Sequence, residues 1–353
     1  MADTSTVDGL DRQLLHALQL DGRAQFRRIA PVIGVSEHTI ARRYRRLRAA
    51  GLRVVGEPDP ERLGYTRWLL RLRCAPDAAT TIADALALRP NTGYVSIASG
   101  GTELHCAINT TSAEEDEDVL LRALPRTPRI VGFDAHCFLH TFCGNPPHWY
   151  TKLGALTPEQ HEVLQPPGTD EPPPAVAPSP LTALGTVQQT VALDDADHGL
   201  LSALAKDARA TLPELSTATG LSASSVHRRL DRLRETGAIR ICVDFPPAQL
   251  GYRKRAVLWL RVAPGALQSV GETLAAHPQT DLVAATSGPT NLVATVICHN
   301  VTELYLYLNH HIGALSEVQA VETTPIIREV KRLTPRVPTR QAPTGHLSKA
   351  RGR

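Results

Sequence analysis

Methionine is almost missing from this sequence: one residue in 353. Lysine is scarce, with 5 of the 38 basic residues, and the other 33 are arginine. That usage follows a GC-rich genome, so the arginine total is not in itself evidence for a nucleic-acid partner. The net charge is only +3; what matters is where the arginines fall. No C-x-x-C pair occurs among Cys74, Cys106, Cys137, Cys143, Cys242 and Cys298. That argues against a stapled secreted scaffold and for a reducing cytoplasm. The N-terminus, MADTSTVDGLD, has no apolar run and does not read as a signal peptide. The longest uncharged stretch, Leu282–Thr302, is too polar for a membrane span. A hydrophobic fraction of 42% is enough for packed cores.

What is present is a duplication. A shift of 186 residues lays LDRQLLHALQLDGRA over ADHGLLSALAKDARA, and about a third of positions 7–55 match identically. RLGY (62–65) meets QLGY (249–252), and SGGTEL (99–104) meets SGPTNL (287–292). Each unit opens with three short amphipathic segments. In the first, Leu14, Leu15 and Leu18 form one stripe, Phe26, Ile29 and Ile33 the next, and Ile40, Tyr44 and Leu47 the third. Pro31 inside the second segment predicts a short or kinked helix; Pro213 sits near its helix start, where proline is tolerated. Strands and helices then alternate in the order βαββαβ, closing with strands at 130–142 and 318–324. The expected organisation is a helix-turn-helix domain at 7–56, a ferredoxin-like domain at 62–143 and a Pro-rich linker at 144–192 with a short helix near Thr157–Leu164. A second helix-turn-helix follows at 193–243, a second ferredoxin-like domain at 249–333, and a basic tail at 334–353. The fold class is α+β, with two winged-helix-like modules each followed by a βαββαβ domain.

The third segment of each module carries the chemistry. Ile40, Tyr44 and Leu47 face inward, so Thr39, Arg42 and Arg46 face outward, flanked by His38 and Arg45; Arg43 lies at the border of the buried stripe. In the second copy Ser225, Arg228 and Arg232 face out. Such a helix fits a major groove, with early polar residues toward base edges and arginines toward guanine or phosphate. The candidate DNA-binding residues are Ser36, His38, Thr39, Arg42, Arg43, Arg45 and Arg46, with Ser222, Ser224, Ser225, Arg228, Arg229 and Arg232. Residues 1–56 hold ten Arg against five acids, whereas residues 193–242 balance seven basic residues against seven acids. The first module is therefore expected to dominate binding and its salt dependence.

The ordered set Asp11, Leu14-Leu15, Leu18, Asp21-Gly22-Arg23, Gly34-Val35-Ser36, Arg42-Arg43, Leu47, Gly51 and Leu63-Gly64-Tyr65 resembles the Lrp/AsnC transcription regulators. The second unit repeats it from Asp197 to Leu250-Gly251-Tyr252. The resemblance implies a bacterial DNA-binding regulator whose ferredoxin-like domains pair through their sheets, assemble as a homodimer or larger, and bind an amino acid or related metabolite near the turn between the second and third strands. The matching positions are Gly100, Gly101, Thr102 and Glu103, and Gly288, Thr290 and Asn291. The acid that would take an amino group is Glu103 in one copy and Asn291, which carries no charge, in the other. No cofactor and no metal is expected: on a strand, His136, Cys137, His140 and Cys143 alternate faces and spread too far for one tetrahedral ion. No phosphate loop, nucleophile elbow or H-E-x-x-H motif points to an enzyme. Two other readings share the architecture. Sirohaem decarboxylases resemble this family and use two similar subunits. A metabolite-sensing assembly protein that does not bind DNA would also fit, especially for the weakly charged second module.

Overall fold

A computed structural model describes residues 7–144, 149–165 and 190–335. The basic tail beyond 335 and most of the Pro-rich run, including 166–180, lie outside the described residues. In the first module α1 (Gly9–Leu20), α2 (Phe26–Ile33) and α3 (Glu37–Ala49) are followed by strand β1 (Arg53–Pro58). Asp8 caps α1 and shares a reciprocal capping box with Asp11. With Pro31 inside it, α2 stays at eight residues and stops at Gly34, whose φ of 80° needs no Cβ. Ser36 then caps α3, its Oγ accepting from the Thr39 amide at 3.1 Å. The second module repeats this plan with α7 (Asp195–Leu204), α8 (Leu212–Thr219), α9 (Ala223–Glu235) and β6 (Ile239–Asp244).

The two modules are locked to each other. Strands β1 and β6 pair antiparallel from Arg53↔Asp244 to Pro58↔Ile239. Arg23 donates to the Ala208 and Ala210 carbonyls, and Arg209 donates to those of Gly22 and Ala24. Arg209 also stacks between the Phe26 and Tyr44 rings, 4.8 and 5.2 Å from their centroids. These reciprocal contacts mark a pseudo-twofold relation between the copies.

The βαββαβ units are β2 (Thr66–Cys74), α4 (Ala79–Ala87), β3 (Thr92–Ala98), β4 (Glu103–Thr110), α5 (Ala113–Glu117) and β5 (Ile130–Cys143), then β7 (Lys254–Val262), α10 (Leu267–Ala276), β8 (Thr280–Thr286), β9 (Leu292–Cys298), α11 (Val301–Leu306) and β10 (Val318–Arg332). The first-half pair Trp68↔Cys137 returns as Ala256↔Pro325, each offset by 188 residues. The two sheets do not merely stack. β5 pairs with β2 and also with β8, and β10 pairs with β7 and also with β3. The result is a closed ring, β10-β3-β4-β2-β5-β8-β9-β7, returning to β10. This corrects the sequence expectation for the closing strand of the second unit: it runs to Arg332, not 324, because its second part pairs with the other unit. A short β11 (Thr334–Pro335) pairs back on β10.

Period two along β2 explains the layers. Trp68, Leu70 and Leu72 turn outward under α4 and α5, while Leu69 turns inward. Leu69, Val257, Trp259, Ala284 and Val293 form a core inside the ring. The segment after β5 is a further correction to the expected linker. Trp149 and Tyr150 are fully buried among the α1 leucines and Phe245, Leu250 and Ile297. Lys152 Nζ donates to the Ala275 and Thr280 carbonyls at 2.6 and 2.8 Å, beside the C-terminus of α10. The predicted short helix is α6 (Pro158–Leu164), capped by Thr157. Two large aromatics outweigh the extended character of the prolines beyond them, so 149–165 is a strap rather than a spacer.

Candidate nucleic-acid interface and effector turns

Helix α3 buries Ile40 and Leu47 and leaves His38, Arg42 and Arg45 exposed. These three lie at i, i+4 and i+7, one stripe facing solvent. Arg43 and Arg46 are not on that stripe. Arg43 pairs with Asp8 and, at 3.4 Å, with Asp11; Arg46 also pairs with Asp11. Asp11 is fully buried, so its charge requires those partners. Of the predicted outward face, Arg42 and Arg46 are exposed and Thr39 is half-buried, but Arg46 gives a donor to Asp11, which leaves Arg42 and Arg45 as the guanidiniums without a carboxylate partner among the described residues. Ser36 and Ser222 are N-caps, their Oγ atoms held by the Thr39 and Ser225 amides. Ser224 is exposed, and its Oγ lies 3.1 Å from that of Ser222.

Helix α9 has the same internal wiring. Arg229 pairs with Asp194 and Asp197 at 2.8 Å, and Arg232 pairs with Asp197. Burial raises the Asp197 carboxyl, but the Arg232 and Arg229 hydrogen bonds outweigh that and hold it below its usual range. The outer stripe differs. His38, Arg42 and Arg45 correspond to Ser224, Arg228 and Asp231. Asp231 also sits 3.4 Å from His227. The first stripe carries two guanidiniums and the second a cancelling pair. Sequence reasoning missed the role of the Asp8, Asp11, Asp194 and Asp197 anchors. The signal was present: both acids and both arginines recur at one spacing in both copies.

The two turns expected to hold an effector are fixed from inside. Gly100 and Gly101 have φ of 71° and 89° and are open to solvent or half-buried. Thr102 donates to the Ser99 carbonyl at 2.9 Å. Glu103 is buried between Arg71 Nε at 2.9 Å and His105 Nε2 at 2.6 Å. Burial raises its carboxyl, but the His105 and Arg71 hydrogen bonds overcome that and hold it at about 2. Arg71 is itself shared with Glu322 of β10, and the side chains of His105 and His136 pack on Trp259. In the second copy Asn291 bonds both the N–H and the carbonyl of Val262 at 2.9 Å. Gly288 lies against the His136 ring, where a Cβ would stand 2.7 Å from Nδ1, and the Thr290 carbonyl accepts from Thr286. Both side chains are thus held in place by contacts within the chain. Inside the ring lies a cavity of about 120 Å³, between Arg67, Tyr94, His105, Phe138, Arg255 and Arg332. Among the described residues no group of three or more His, Cys, Asp or Glu side chains converges on a metal-sized space. No helix among them is long and apolar enough to cross a membrane.

Three family models match the chain: the AsnC-type helix-turn-helix domain over 7–48, a winged helix-turn-helix DNA-binding model over 193–240, and the Lrp/AsnC ligand-binding domain over 255–335. The chain is 32% identical to the HTH-type transcriptional regulator FL11 of Pyrococcus horikoshii over 145 residues, which is 41% of this chain and 95% of FL11. It is 28% identical to the regulatory protein AsnC of Escherichia coli over 153 residues, 39% of this chain and 96% of AsnC. A solved structure, the sirohaem decarboxylase NirDL, covers 92% of this chain and 93% of its own with a TM-score of 0.58 and 15% identity, a likeness of fold. Each relative of about 150 residues is thus one unit, and this chain is two of them closed on each other; by its helix-turn-helix modules, its ferredoxin-like units and its match to almost the whole of FL11, it belongs to the Lrp/AsnC family of transcriptional regulators.

Proposed function

We propose that the protein is a sequence-specific DNA-binding transcriptional regulator of the cytoplasm, using α3 as its principal reading helix and responding to an amino acid or related small metabolite. The observation that carries this is the exposed His38–Arg42–Arg45 stripe, free of the carboxylates that hold Arg43 and Arg46. Arg42 and Arg45 contact phosphate or guanine, while Thr39 and His38, near the helix N-terminus, face base edges. Arg43 and Arg46 position the helix by bridging it to α1. The second module contributes less: Arg228 stands beside Asp231, and Arg229 and Arg232 are bound to Asp194 and Asp197. Because β1–β6 and the β-ring close within one chain, homo-oligomer formation joins whole two-unit bodies.

The test is selection of bound fragments from the source genome, with footprinting at low ionic strength, repeated with a panel of amino acids. Protection that depends on Arg42 and Arg45 supports the reading; absence of any protected site overturns it. A decarboxylase of the NirDL kind would have to seat a tetrapyrrole. The ring cavity of about 120 Å³ is below the ~300–1,000 Å³ usual for drug-sized ligands, so a tetrapyrrole would have to use the adjoining space of about 320 Å³ between residues 60–67 and β5. Protein that purifies with a porphyrin absorbance band and without DNA affinity would favour that enzyme instead.

A further inference from the structure

Arg67 and Arg255 occupy equivalent positions, each near the start of the first strand of its unit, and both line the cavity inside the β-ring. Their surroundings differ. Arg255 is caged: Nη2 lies 2.6 Å from Asp281, and Nη1 pairs with Glu329. Asp281 and Glu329 correspond, at the 188-residue offset of the strands, to Gly93 and Thr141. Both carboxylates are therefore missing around Arg67. Among the described residues it makes no ion pair and no hydrogen bond, and its Nη1 is enclosed without a partner. The Phe138 ring lies 4.5 Å from the guanidinium carbon, and Glu61, Glu57 and Asp59 act on it through space without a direct ion pair. An unpaired guanidinium away from bulk water is costly and persists where something else supplies the counter-charge.

The rest of the cavity points the same way. The buried hydroxyl of Tyr94, beside Ser96, lines the same space, and Arg332 Nη1 is without a hydrogen-bond partner among the described residues. Leu69, Phe138, Val257 and Val293 form an apolar wall. Glu57 also borders the cavity. Burial, opposed by Lys331 and Arg67 and helped by Asp244, pushes its carboxyl up to about 8, and it makes no direct ion pair with Arg67. Arg67 and Phe138, with Glu61, also line an adjoining cavity of about 320 Å³ between the loop at 60–66 and β5.

From this we infer that the interior of the β-ring binds a small organic monocarboxylate, its carboxylate on Arg67 and Tyr94 and its apolar body against Leu69, Phe138, Val257 and Val293. A volume of about 120 Å³ holds several waters or one short-chain acid. The site is separate from the turns at 100–103 and 288–291. The two halves of the duplicated chain differ here: the second holds an internal salt cage, and the first has the arginine without those acids. The inference rests on the metabolite-responsive reading only for what the ligand would signal; binding itself is measured on the chain without DNA, so failure to bind DNA leaves it standing.

The experiment is calorimetric titration of the full chain with butyrate, with butyramide as the uncharged control. Saturable butyrate binding and none by butyramide are expected. Arg67→Gln should weaken binding about ten- to a hundred-fold, the range for a charge-assisted bond. Gly93→Asp with Thr141→Glu should do the same while keeping Arg67, by rebuilding the cage of the other half. A Cβ at Gly93 meets nothing within 4 Å, so this variant is expected to fold even where Arg67→Gln does not. No saturable binding by the wild-type chain at millimolar butyrate, equal binding of butyramide, or undiminished binding by the Gly93→Asp/Thr141→Glu variant would each overturn the site.

Discussion

The arginines of α3 divide by partner. Arg42 and Arg45 face solvent; Arg43 and Arg46 neutralise a buried Asp11. Two variants should therefore separate. Arg42→Ala/Arg45→Ala should lower the slope of log K against log salt by about two, since each lost phosphate contact removes ~0.9, and should leave thermal stability nearly unchanged. Arg46→Ala should cost about 1–3 kcal/mol in denaturant unfolding, the range for a buried charge losing a donor. Equal loss of slope from Arg42→Ala/Arg45→Ala and from Arg228→Ala/Asp231→Ala would show the modules to be equivalent readers. Glu103 gives a pH prediction. Its carboxyl falls from the usual 4.5 to about 2 in the folded protein. That stabilisation, roughly 3 kcal/mol at most, is present above pH 4.5 and is lost as pH falls toward 2. Glu103→Gln should flatten the stability curve over that window, measured by urea titration.

At the level of elements, the strap from Trp149 to α6 does more than connect. It packs on α1 and fastens to α10, so it ties the first helix-turn-helix to the second ferredoxin-like unit. Trp149→Ala should cost about 3–5 kcal/mol and loosen α1 in hydrogen exchange. His16 on α1 is buried with both ring nitrogens unpartnered, edge-on to His161 of α6 at 5.5 Å. Burial, helped by His161, lowers its pKa to about 4. The unfolded chain then takes up a proton that the folded chain refuses. Stability should fall by roughly 3 kcal/mol as pH drops from 6.5 to 4, and stay level below that. His16→Leu should remove the dependence; an unchanged curve would place the proton elsewhere.

For the whole molecule, the decisive fact is ring closure. The family's single-unit relatives supply one unit per chain, and here both come from one. Strands β5 and β10 each serve two units, so neither half has a complete sheet edge alone. Co-expressed halves, divided within 166–189, are expected to assemble one to one, because the strap of the first half needs Ala275, Thr280 and Phe245 of the second. Native mass spectrometry checks this; separate, stable half-chains would contradict it.

Much was legible from residues alone. Apolar spacing, cap residues and the 186-residue repeat placed both helix-turn-helix modules and the order of the βαββαβ units, because helix stripes and strand alternation are local and survive duplication. The outward turn of Arg42 followed from the same periodicity. What needed the tertiary structure depended on contacts between distant segments. Asp8 and Asp11 claim Arg43 and Arg46 across the helix-turn-helix; Trp149 turns a proline-flanked connector into a strap; β10 outruns its predicted end by joining β3. Most of all, Arg67 and Arg255 are alike in sequence context, and only the closed ring shows that one is caged by Asp281 and Glu329 while the other has Gly93 and Thr141 at the matching positions and, among the described residues, no direct ion pair. Charge compensation is set by what lies a few ångströms away in space, and no local pattern along the chain encodes it.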